Sequence, residues 1–384
     1  MKISRRTRRL TLLTAAVLGL ALAAAGLAAC GGSGGDIAGA AVPGSGSSAA
    51  AIEGFTPQPM QAGVILGAGA SFPAPLYMKW GSDYANVADV KLNYQSIGSG
   101  GGIAAVEAKT VDFGASDAPL EEADLSANGL VQFPMVVGGI VIVVNLDGVA
   151  DGRLKLTPDV LAGIFMGTTT QWDDPSIKDL NPGMTLPATK INVVHRSDGS
   201  GSTWIFTHYL TDAAGSVWTA GADKEVPWPV GAGGKGNEGV ATTVQQISGS
   251  IGYVEYAYAK QTGMTTTQLQ NKDGSWVRPS IDSFAAAASS ADWQGSLPSM
   301  YMVLVNQPGA GSWPITGASF VLMQKDQADA ARAKATLEFL KWGYTSGASA
   351  ASQLDYVPIP ESVYTLVQDQ VWPTITSGGS PVWP

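Results

Sequence analysis

The chain has few of the side chains on which most enzymes and metalloproteins depend. Among its 384 residues are one cysteine and two histidines, His195 and His208, which lie 13 positions apart. These residues lack a recognisable zinc-ligand spacing, and one cysteine cannot form an intrachain disulfide. The only GxSxG sequence, at residues 31–35, lies in a flexible glycine-rich stretch that could not hold a catalytic serine on a strained turn. We therefore expect no metal, no cofactor and no catalytic residue.

Basic residues are also scarce. Without residues 1–29 the chain keeps 17 of its 22 Lys and Arg residues against 31 Asp and Glu, a formal net charge of −14. Such a surface argues against nucleic acid and anionic membrane surfaces as partners. An anionic ligand would have to be held by local dipoles and hydrogen bonds in an enclosed site.

The residues that are abundant point to an α/β protein. Hydrophobic residues make up 45% of the chain, which is enough for real cores, and the length corresponds to roughly two domains. The 48 glycines and 22 prolines indicate many tight turns rather than long helices.

The first 29 residues have the pattern of an export signal. Five basic residues precede an apolar run over 10–25, and small residues stand directly before Cys30. This order resembles a bacterial lipobox, in which the cysteine is lipidated and becomes the mature N-terminus; an ordinary signal peptide with a stray cysteine is the alternative. Residues 30–58 would then begin with the lipidated cysteine and continue as a flexible linker. The folded part would be anchored to the outer face of the cell membrane.

The most informative stretch is HRSDGSGSTWIF, residues 195–206. A β-branched run over 191–194 predicts a buried strand before it, and a helix is predicted from Trp204 onward. The turn between them would offer unpaired backbone NH groups and the positive end of a helix dipole to an anion. Arg196 would add a forked guanidinium and the serines would add hydroxyls. A serine that merely caps the helix explains the turn equally well at this point.

Two further segments repeat this order of strand, glycine-rich turn and helix. The turns are GAGASFPAP (67–75) and SIGSGGG (96–102). Ser71 is placed to cap the helix after the first turn, and Pro73 suits that helix's first turn. Three such units with serine at the turn favour convergence on one ligand over three independent caps.

Asp117 follows a short predicted strand within TVDFGASDAPL, residues 110–120. An ionised carboxylate has no donor, so beside an anion it is either repulsive or an acceptor for a proton that the ligand carries. An ordinary turn or capping aspartate is the other interpretation.

Eight motifs then occur in order along the chain: GAGASFPAPLY (67–77), SIGSGGG (96–102), VDFGASDAPL (111–120), QFPMVVGGIVIVVN (132–145), TTTQWDDPSI (168–177), RSDGSGST (196–203), GGKGNEGV (233–240) and SIGYVEYAYAK (250–260). Together they resemble the phosphate-binding proteins of the bacterial high-affinity phosphate ABC transporter, the PstS family. The likeness spans nearly all of residues 60–370. It implies a class II periplasmic-binding-protein fold, in which two α/β lobes joined by hinge strands enclose phosphate.

The resemblance also implies how the chain is divided. Lobe I would be discontinuous, formed by residues 59–137 plus 305–384, and lobe II would comprise residues 138–304. The buried run over 136–145, with its glycine pair, would cross between them because glycine tolerates the backbone change of a hinge.

Carried over by motif, the phosphate ligands would be Ser71, the backbone of Phe72, Ser99, Asp117, Arg196, Asp198, Ser200, Gly201 and Ser202. Asp117 would accept a hydrogen bond from protonated phosphate and repel sulfate, which brings no proton. Asp198 would hold the Arg196 fork in place. Ser71 and Ser202 stand where relatives often have threonine, which preserves the hydroxyl donor.

The resulting hypothesis is a monomeric solute-binding lipoprotein that delivers phosphate to ABC permease subunits. A binder of another tetrahedral oxyanion and, less favoured, a phosphate-ester hydrolase using the same cleft are the alternatives. Lys235 is expected to be structural, because the GxxxxGK[ST] spacing is absent. Tyr253, Tyr256 and Tyr258 are expected to pack within one strand.

Overall fold

The computed structural model describes residues 63–383. The predicted export signal, the predicted lipidation at Cys30 and the linker over 30–58 lie outside the described residues. Among the described residues, every helix is too short or too polar to cross a bilayer.

The strands are β1 (Val64–Gly69), β2 (Lys91–Ser96), β3 (Phe113–Ser116), β4 (Leu130–Asn145), β5 (Lys155–Leu156), β6 (Asn192–Arg196), β7 (Ala232–Gly234), β8 (Ser250–Glu255), β9 (Thr265–Thr266), β10 (Gln268–Gln270), β11 (Trp276–Val277), β12 (Thr316–Gln324), β13 (Val357–Pro358), β14 (Thr376–Ser377) and β15 (Ser380–Pro381). The helices are α1 (Ala74–Ala88), α2 (Ser99–Glu107), α3 (Glu122–Asn128), α4 (Pro158–Met166), α5 (Pro175–Lys178), α6 (Gly201–Ala214), α7 (Gly236–Gln246), α8 (Tyr256–Gln261), α9 (Ile281–Ala288), α10 (Ala330–Tyr344), α11 (Ala348–Gln353) and α12 (Glu361–Leu366), followed by a π-helical turn (Val367–Val371) and a 3₁₀ turn (Trp372–Thr374).

One long sheet organises the described chain. Its main strand order is β2-β1-β3-β12-β4-β8-β6-β7, and β9 and β13 each pair with β4. Strands β2, β1 and β3 are parallel, as are β8, β6 and β7, whereas β4 is antiparallel to both β12 and β8. The sheet therefore consists of two parallel groups linked through β4 and β12.

Strand β4 joins the two groups because its pairing changes along its length. Its first part, up to Gly139, pairs with β12, and its last six residues pair with β8. The change falls beside the glycine pair. A Cβ atom at Gly138 would lie 2.8 Å from the ring of Phe72, and one at Gly139 would lie 2.1 Å from the ring of Phe284. Glycine is required here because aromatic rings pack directly on the backbone.

The C-terminal chain returns to the first group of strands. Strand β12 pairs with β3 as well as β4, and β13 adds to β4 around Val136. This return is compatible with a discontinuous first lobe, whose boundaries at 137/138 and 304/305 stay a prediction.

The sheet is covered by helices whose aromatic side chains form the cores. In the first group, Tyr77 of α1 packs edge-on against Phe113, with ring centroids 5.9 Å apart. In the second group, Phe206 of α6 stacks on Tyr253 at 4.5 Å and meets Phe165 at 4.8 Å. All five side chains are buried, so both groups of strands have substantial apolar cores.

The structure alters one predicted boundary. The helix predicted from Trp204 onward begins instead at Gly201, as α2 begins at Ser99, because the glycine- and serine-rich turns supply the first helical turn. Helix α10 begins at Ala330, where the side chain of Asp329 accepts hydrogen bonds from two NH groups of the first turn.

The expectation that three tyrosines share a strand is wrong for two of them. Tyr253 lies in β8, but Tyr256 and Tyr258 lie in α8. Strand β8 ends at Glu255, whose carboxylate accepts the NH of Ala257 at 2.9 Å and thereby caps the new helix. The alternation of aromatic residues resembled a strand, whereas the capping bond starts a helix.

Candidate functional site

Four glycine-rich turns meet at the carboxyl ends of the parallel strands. They connect β1 to α1, β2 to α2, β6 to α6 and β7 to α7. In open α/β sheets, ligands bind at this edge, where helix N-termini present backbone NH groups and positive dipole ends. The site is therefore positioned by the topology of both strand groups.

The first turn carries Ser71 and Phe72, and both are buried. Ser71 does not cap α1, contrary to expectation, since the residue at that position is Pro73 and no side-chain capping bond forms. Its hydroxyl oxygen instead accepts two hydrogen bonds from Asn237. The hydroxyl of Tyr258 donates to the Ser71 carbonyl at 2.7 Å.

The second turn carries Ser99, the first residue of α2, which is fully buried. Its hydroxyl oxygen accepts the NH of Asp117 at 3.1 Å and the NH of Gly201 at 3.0 Å. Gly98 precedes it with φ +82°, and a Cβ atom there would lie 2.4 Å from an Asp198 carboxylate oxygen. The close approach of the second and third turns therefore depends on glycine.

The third turn carries a forked ion pair. Arg196 donates from Nε to Asp198 Oδ1 at 2.8 Å and from Nη2 to Oδ2 at 2.5 Å. Burial alone would raise the pKa of Asp198, but the hydrogen bonds and charge of Arg196 hold it below its ordinary value. Asp198 Oδ1 also accepts the NH of Gly236 at 3.1 Å, which ties the third turn to the fourth.

Ser200, Gly201 and Ser202, at the start of α6, make different contacts. Ser200 caps α6 by accepting the NH of Thr203 at 3.1 Å, so the capping interpretation describes its hydroxyl oxygen correctly. The Gly201 NH is engaged by Ser99, and a Cβ atom at Gly201 would lie 2.6 Å from the Asp117 Cβ. Ser202 is buried, and its hydroxyl oxygen accepts a long bond of 3.4 Å from Asn237.

Asp117 lies directly after β3, against Gly201, and is only 2% exposed. Its Oδ1 is buried without any hydrogen-bond partner. Burial raises the pKa of its carboxyl group to about 7, although Ser319, the Arg196 charge and Ser99 favour the ionised form. A buried acceptor without a partner costs free energy, and this oxygen could accept a hydrogen bond from a bound group that carries a proton.

The structure thus gathers the nine residues predicted from sequence at one edge of the sheet. It also adds Asn237, which the sequence interpretation missed. Asn237 is fully buried in the first turn of α7 and contacts both Ser71 and Ser202. The available signal was the segment GGKGNEG, a fourth glycine turn before a helix. Lys235, in the same segment, precedes α7 without making a side-chain capping bond.

Residues 63–383 contain no cluster of three or more His, Cys, Asp or Glu side chains that could hold a metal ion. Both histidines contact backbone carbonyl groups: His195 Nδ1 lies 2.9 Å from the Arg196 oxygen, and His208 Nδ1 lies 2.8 Å from the Trp204 oxygen. Burial lowers the pKa of each. The site therefore consists of hydroxyl, amide and guanidinium donors with one unpaired carboxylate.

Fold, site and sequence place the chain in a known class of binding protein. Residues 54–346 match the PBP superfamily domain, and the predicted class II periplasmic-binding-protein fold is confirmed. A high-affinity periplasmic phosphate-binding protein bound with phosphate superposes with a TM-score of 0.67, at 23% identity, over 83% of this chain and 97% of that chain. An ABC-type phosphate transport receptor from Vibrio cholerae superposes with a TM-score of 0.51, at 20% identity, over 77% of this chain and all of that chain.

Closer relatives define the family. The phosphate-binding protein PstS of Xylella fastidiosa strain Temecula1 is 52% identical over 306 residues, covering 79% of this chain and 84% of the relative. PstS of Haemophilus influenzae is 51% identical over 316 residues, covering 82% and 94%. The chain belongs to the PstS family of phosphate-binding proteins, as the sequence motifs predicted.

Proposed function

We propose that this chain is an extracytoplasmic solute-binding lipoprotein that captures inorganic phosphate between its two lobes and delivers it to an ABC permease. Relatives at about 50% identity carry the name phosphate-binding protein PstS. The proposed ligand contacts are the nine residues identified from the motifs, with the lobes divided at 137/138 and 304/305. Lipidation at Cys30 and a monomeric state belong to the same proposal and are supported by sequence alone.

The observation that carries the proposal is the unpaired Oδ1 of Asp117 beside a set of donors. Serine hydroxyls and the Arg196 guanidinium would donate to phosphate oxygens, and Asp117 would accept a hydrogen bond from the protonated oxygen that phosphate retains at neutral pH. Sulfate is fully ionised, so it would meet the same carboxylate without a proton to share. This contrast favours phosphate over other tetrahedral oxyanions.

The hydrolase alternative is less well supported. Both histidines lie against backbone carbonyl groups, and the described part of the site presents no serine paired with a histidine base. The ligand is therefore bound and released unchanged in this proposal.

Calorimetry on the purified protein tests the proposal. We expect tight binding of phosphate and binding of sulfate at least about 1,000-fold weaker, since one unpaired buried acceptor costs several kcal/mol against the wrong ligand. Equal affinity for both anions would contradict the phosphate assignment. A second experiment incubates the protein with a phosphomonoester. Sustained release of phosphate in proportion to protein concentration would show that the protein is a hydrolase and would contradict the transport assignment.

A further inference from the structure

Asn237 occupies a position that none of the sequence motifs assigned to the ligand. It is fully buried, and its amide group lies between two serines that the proposed function places against phosphate. Nδ2 donates to Ser71 Oγ at 2.9 Å and to Ser202 Oγ at 3.4 Å. Its backbone NH also donates to Ser71 Oγ, at 3.1 Å.

The orientation of the Asn237 amide is fixed by a fourth hydrogen bond. The NH of Glu255 donates to Oδ1 at 3.0 Å, so the oxygen must face β8 and the NH₂ group must face the serines. If the amide were reversed, its NH₂ group would point at the NH of Glu255, and Ser71 would lose the hydrogen bond from Nδ2.

This arrangement determines what the Ser71 hydroxyl can do. A serine oxygen has two acceptor lone pairs and one proton. Both lone pairs of Ser71 are used by Asn237, so Ser71 can interact with a further group only by donating its proton. Ser99 is held in the same way by the NH groups of Asp117 and Gly201. Hydroxyls constrained in this manner suit an acceptor-rich anion.

We propose that Asn237 is a positioning residue for ligand binding, which acts by making Ser71, and in part Ser202, hydrogen-bond donors to the anion. The inference rests on the proposed function. Ser71 and Asn237 lie 166 positions apart, in the predicted lobes I and II respectively, so the contact also joins the two predicted lobes.

The first test is Asn237→Asp, measured by phosphate calorimetry on the full chain between pH 5 and pH 8. The carboxylate accepts hydrogen bonds where the amide donated, so both serine protons turn away from the ligand. We expect affinity about 100-fold weaker than the parent at pH 8, the size of one or two charge-assisted hydrogen bonds. The ratio to the parent should shrink at least about tenfold by pH 5, because burial raises the pKa of the new carboxyl group and its protonated form can again donate to a serine. A purely structural defect would not give this pH trend.

Asn181→Asp is the matched control. Asn181 is also buried, donates from Nδ2 to the carbonyls of Lys155 and Ile177, and accepts from the NH of Lys155. We expect a comparable loss of thermal stability with phosphate affinity within about twofold of the parent, because these bonds lie outside the site.

A double-mutant cycle tests the mechanism without introducing a charge. If Asn237 acts through Ser71, Asn237→Ala weakens phosphate binding about tenfold in the parent but little further in a Ser71→Ala background. Additive losses would contradict the positioning role, as would an Asn237→Asp variant that binds as tightly as the parent. A parent that does not bind phosphate overturns the proposed function and this inference together, whereas a parent that binds and an indifferent Asn237→Asp variant overturn the inference alone.

Discussion

Two aspartates at the candidate site lie in opposite electrostatic surroundings. Asp198, on the turn after β6, is bonded to both the Arg196 fork and the NH of Gly236, and these contacts hold its pKa below the ordinary value despite burial. Asp117, on the loop after β3, keeps one oxygen without a partner, and burial raises its pKa to about 7. The same side chain is thus stabilised as a charge in one loop and left unsatisfied in the other.

This difference separates a scaffold role from a recognition role. Both oxygens of Asp198 are already hydrogen-bonded, Oδ1 to Arg196 and Gly236 and Oδ2 to Arg196, so its effect on a ligand would pass through the orientation of Arg196. Asp117 has a free lone pair, which can be satisfied only by a group that brings a proton. The comparison therefore predicts that changes at Asp198 affect how strongly an anion is bound, whereas changes at Asp117 affect which anion is bound.

The largest expected effect is the pH dependence of stability that Asp117 causes. Its carboxyl pKa is about 7 in the folded protein and 3.8 ordinarily, so the folded state holds a proton that the unfolded state has already lost in this range. Stability is fully present below about pH 4 and decreases as pH rises through about 7. Relative to Asp117→Asn, which cannot ionise, the unfolding free energy of the ligand-free parent should fall by about 4 kcal/mol between pH 4 and pH 8.

Urea unfolding of both proteins in phosphate-free and sulfate-free buffer measures this difference. Subtracting one protein from the other removes the titration of every group that they share. If the unfolding free energy of the parent relative to Asp117→Asn stayed constant or rose with increasing pH, Asp117 would already be ionised in the folded protein, and the contrast with Asp198 would be lost.

The next effect concerns the ion pair itself. Asp198→Ala leaves the Arg196 guanidinium, whose side chain is 1% exposed, without its partner. Removing one member of a buried pair costs about 3 kcal/mol of unfolding free energy, which urea unfolding of the ligand-free protein would show. Added phosphate should stabilise this variant by less than it stabilises the parent, because the stabilisation at a given phosphate concentration follows the logarithm of the affinity.

An exposed pair provides the control for Asp198→Ala. Lys79 and Asp83 lie one turn apart on α1, with side chains 47% and 29% exposed. Asp83→Ala should cost less than about 1 kcal/mol, since water screens such pairs. Equal costs for the two variants would mean that Asp198 does not hold Arg196 in place.

Residues of the candidate site could be proposed from the sequence where their signals were local. The turns carrying Ser71, Ser99 and Arg196 each follow a short strand, and glycine and serine within a few residues mark them. Asp117 could be singled out because an ionised carboxylate beside an anion is repulsive unless it accepts a hydrogen bond from a proton that the ligand carries. These features depend on neighbours in sequence, so they could be inferred without coordinates.

The remaining features depend on contacts between distant segments. Asn237 is an ordinary residue for the first turn of a helix, and only its contact with Ser71, 166 positions away, distinguishes it. The Gly201 NH appeared free for a ligand, but it donates to Ser99, 102 positions away. The alternation of tyrosines predicts a strand at Tyr258, whereas the NH of Ala257 donates to the buried Glu255 side chain and Tyr258 lies in the helix that starts there. Periodicity contains no information about such partners.

The last prediction concerns discrimination between phosphate and sulfate. Asp117→Asn replaces the unpaired acceptor by an amide that can donate to a fully ionised oxyanion, so sulfate loses the repulsion that excludes it. We expect the ratio of phosphate to sulfate affinity, measured by calorimetry at pH 8, to fall about 100-fold, which corresponds to about 2.7 kcal/mol. Sulfate affinity should rise by more than phosphate affinity falls, because phosphate oxygens without a proton can also accept from the amide.

Asp112→Asn is the control for this change. Asp112 lies five positions earlier and accepts hydrogen bonds from Arg332 and from the NH of Leu66, so its carboxylate is partnered and none of these bonds involves the site. Both anion affinities should stay within about twofold of the parent in this variant. If Asp117→Asn excluded sulfate as strongly as the parent does, selectivity would have to come from the donor turns, and the division of roles between the two aspartates would be wrong.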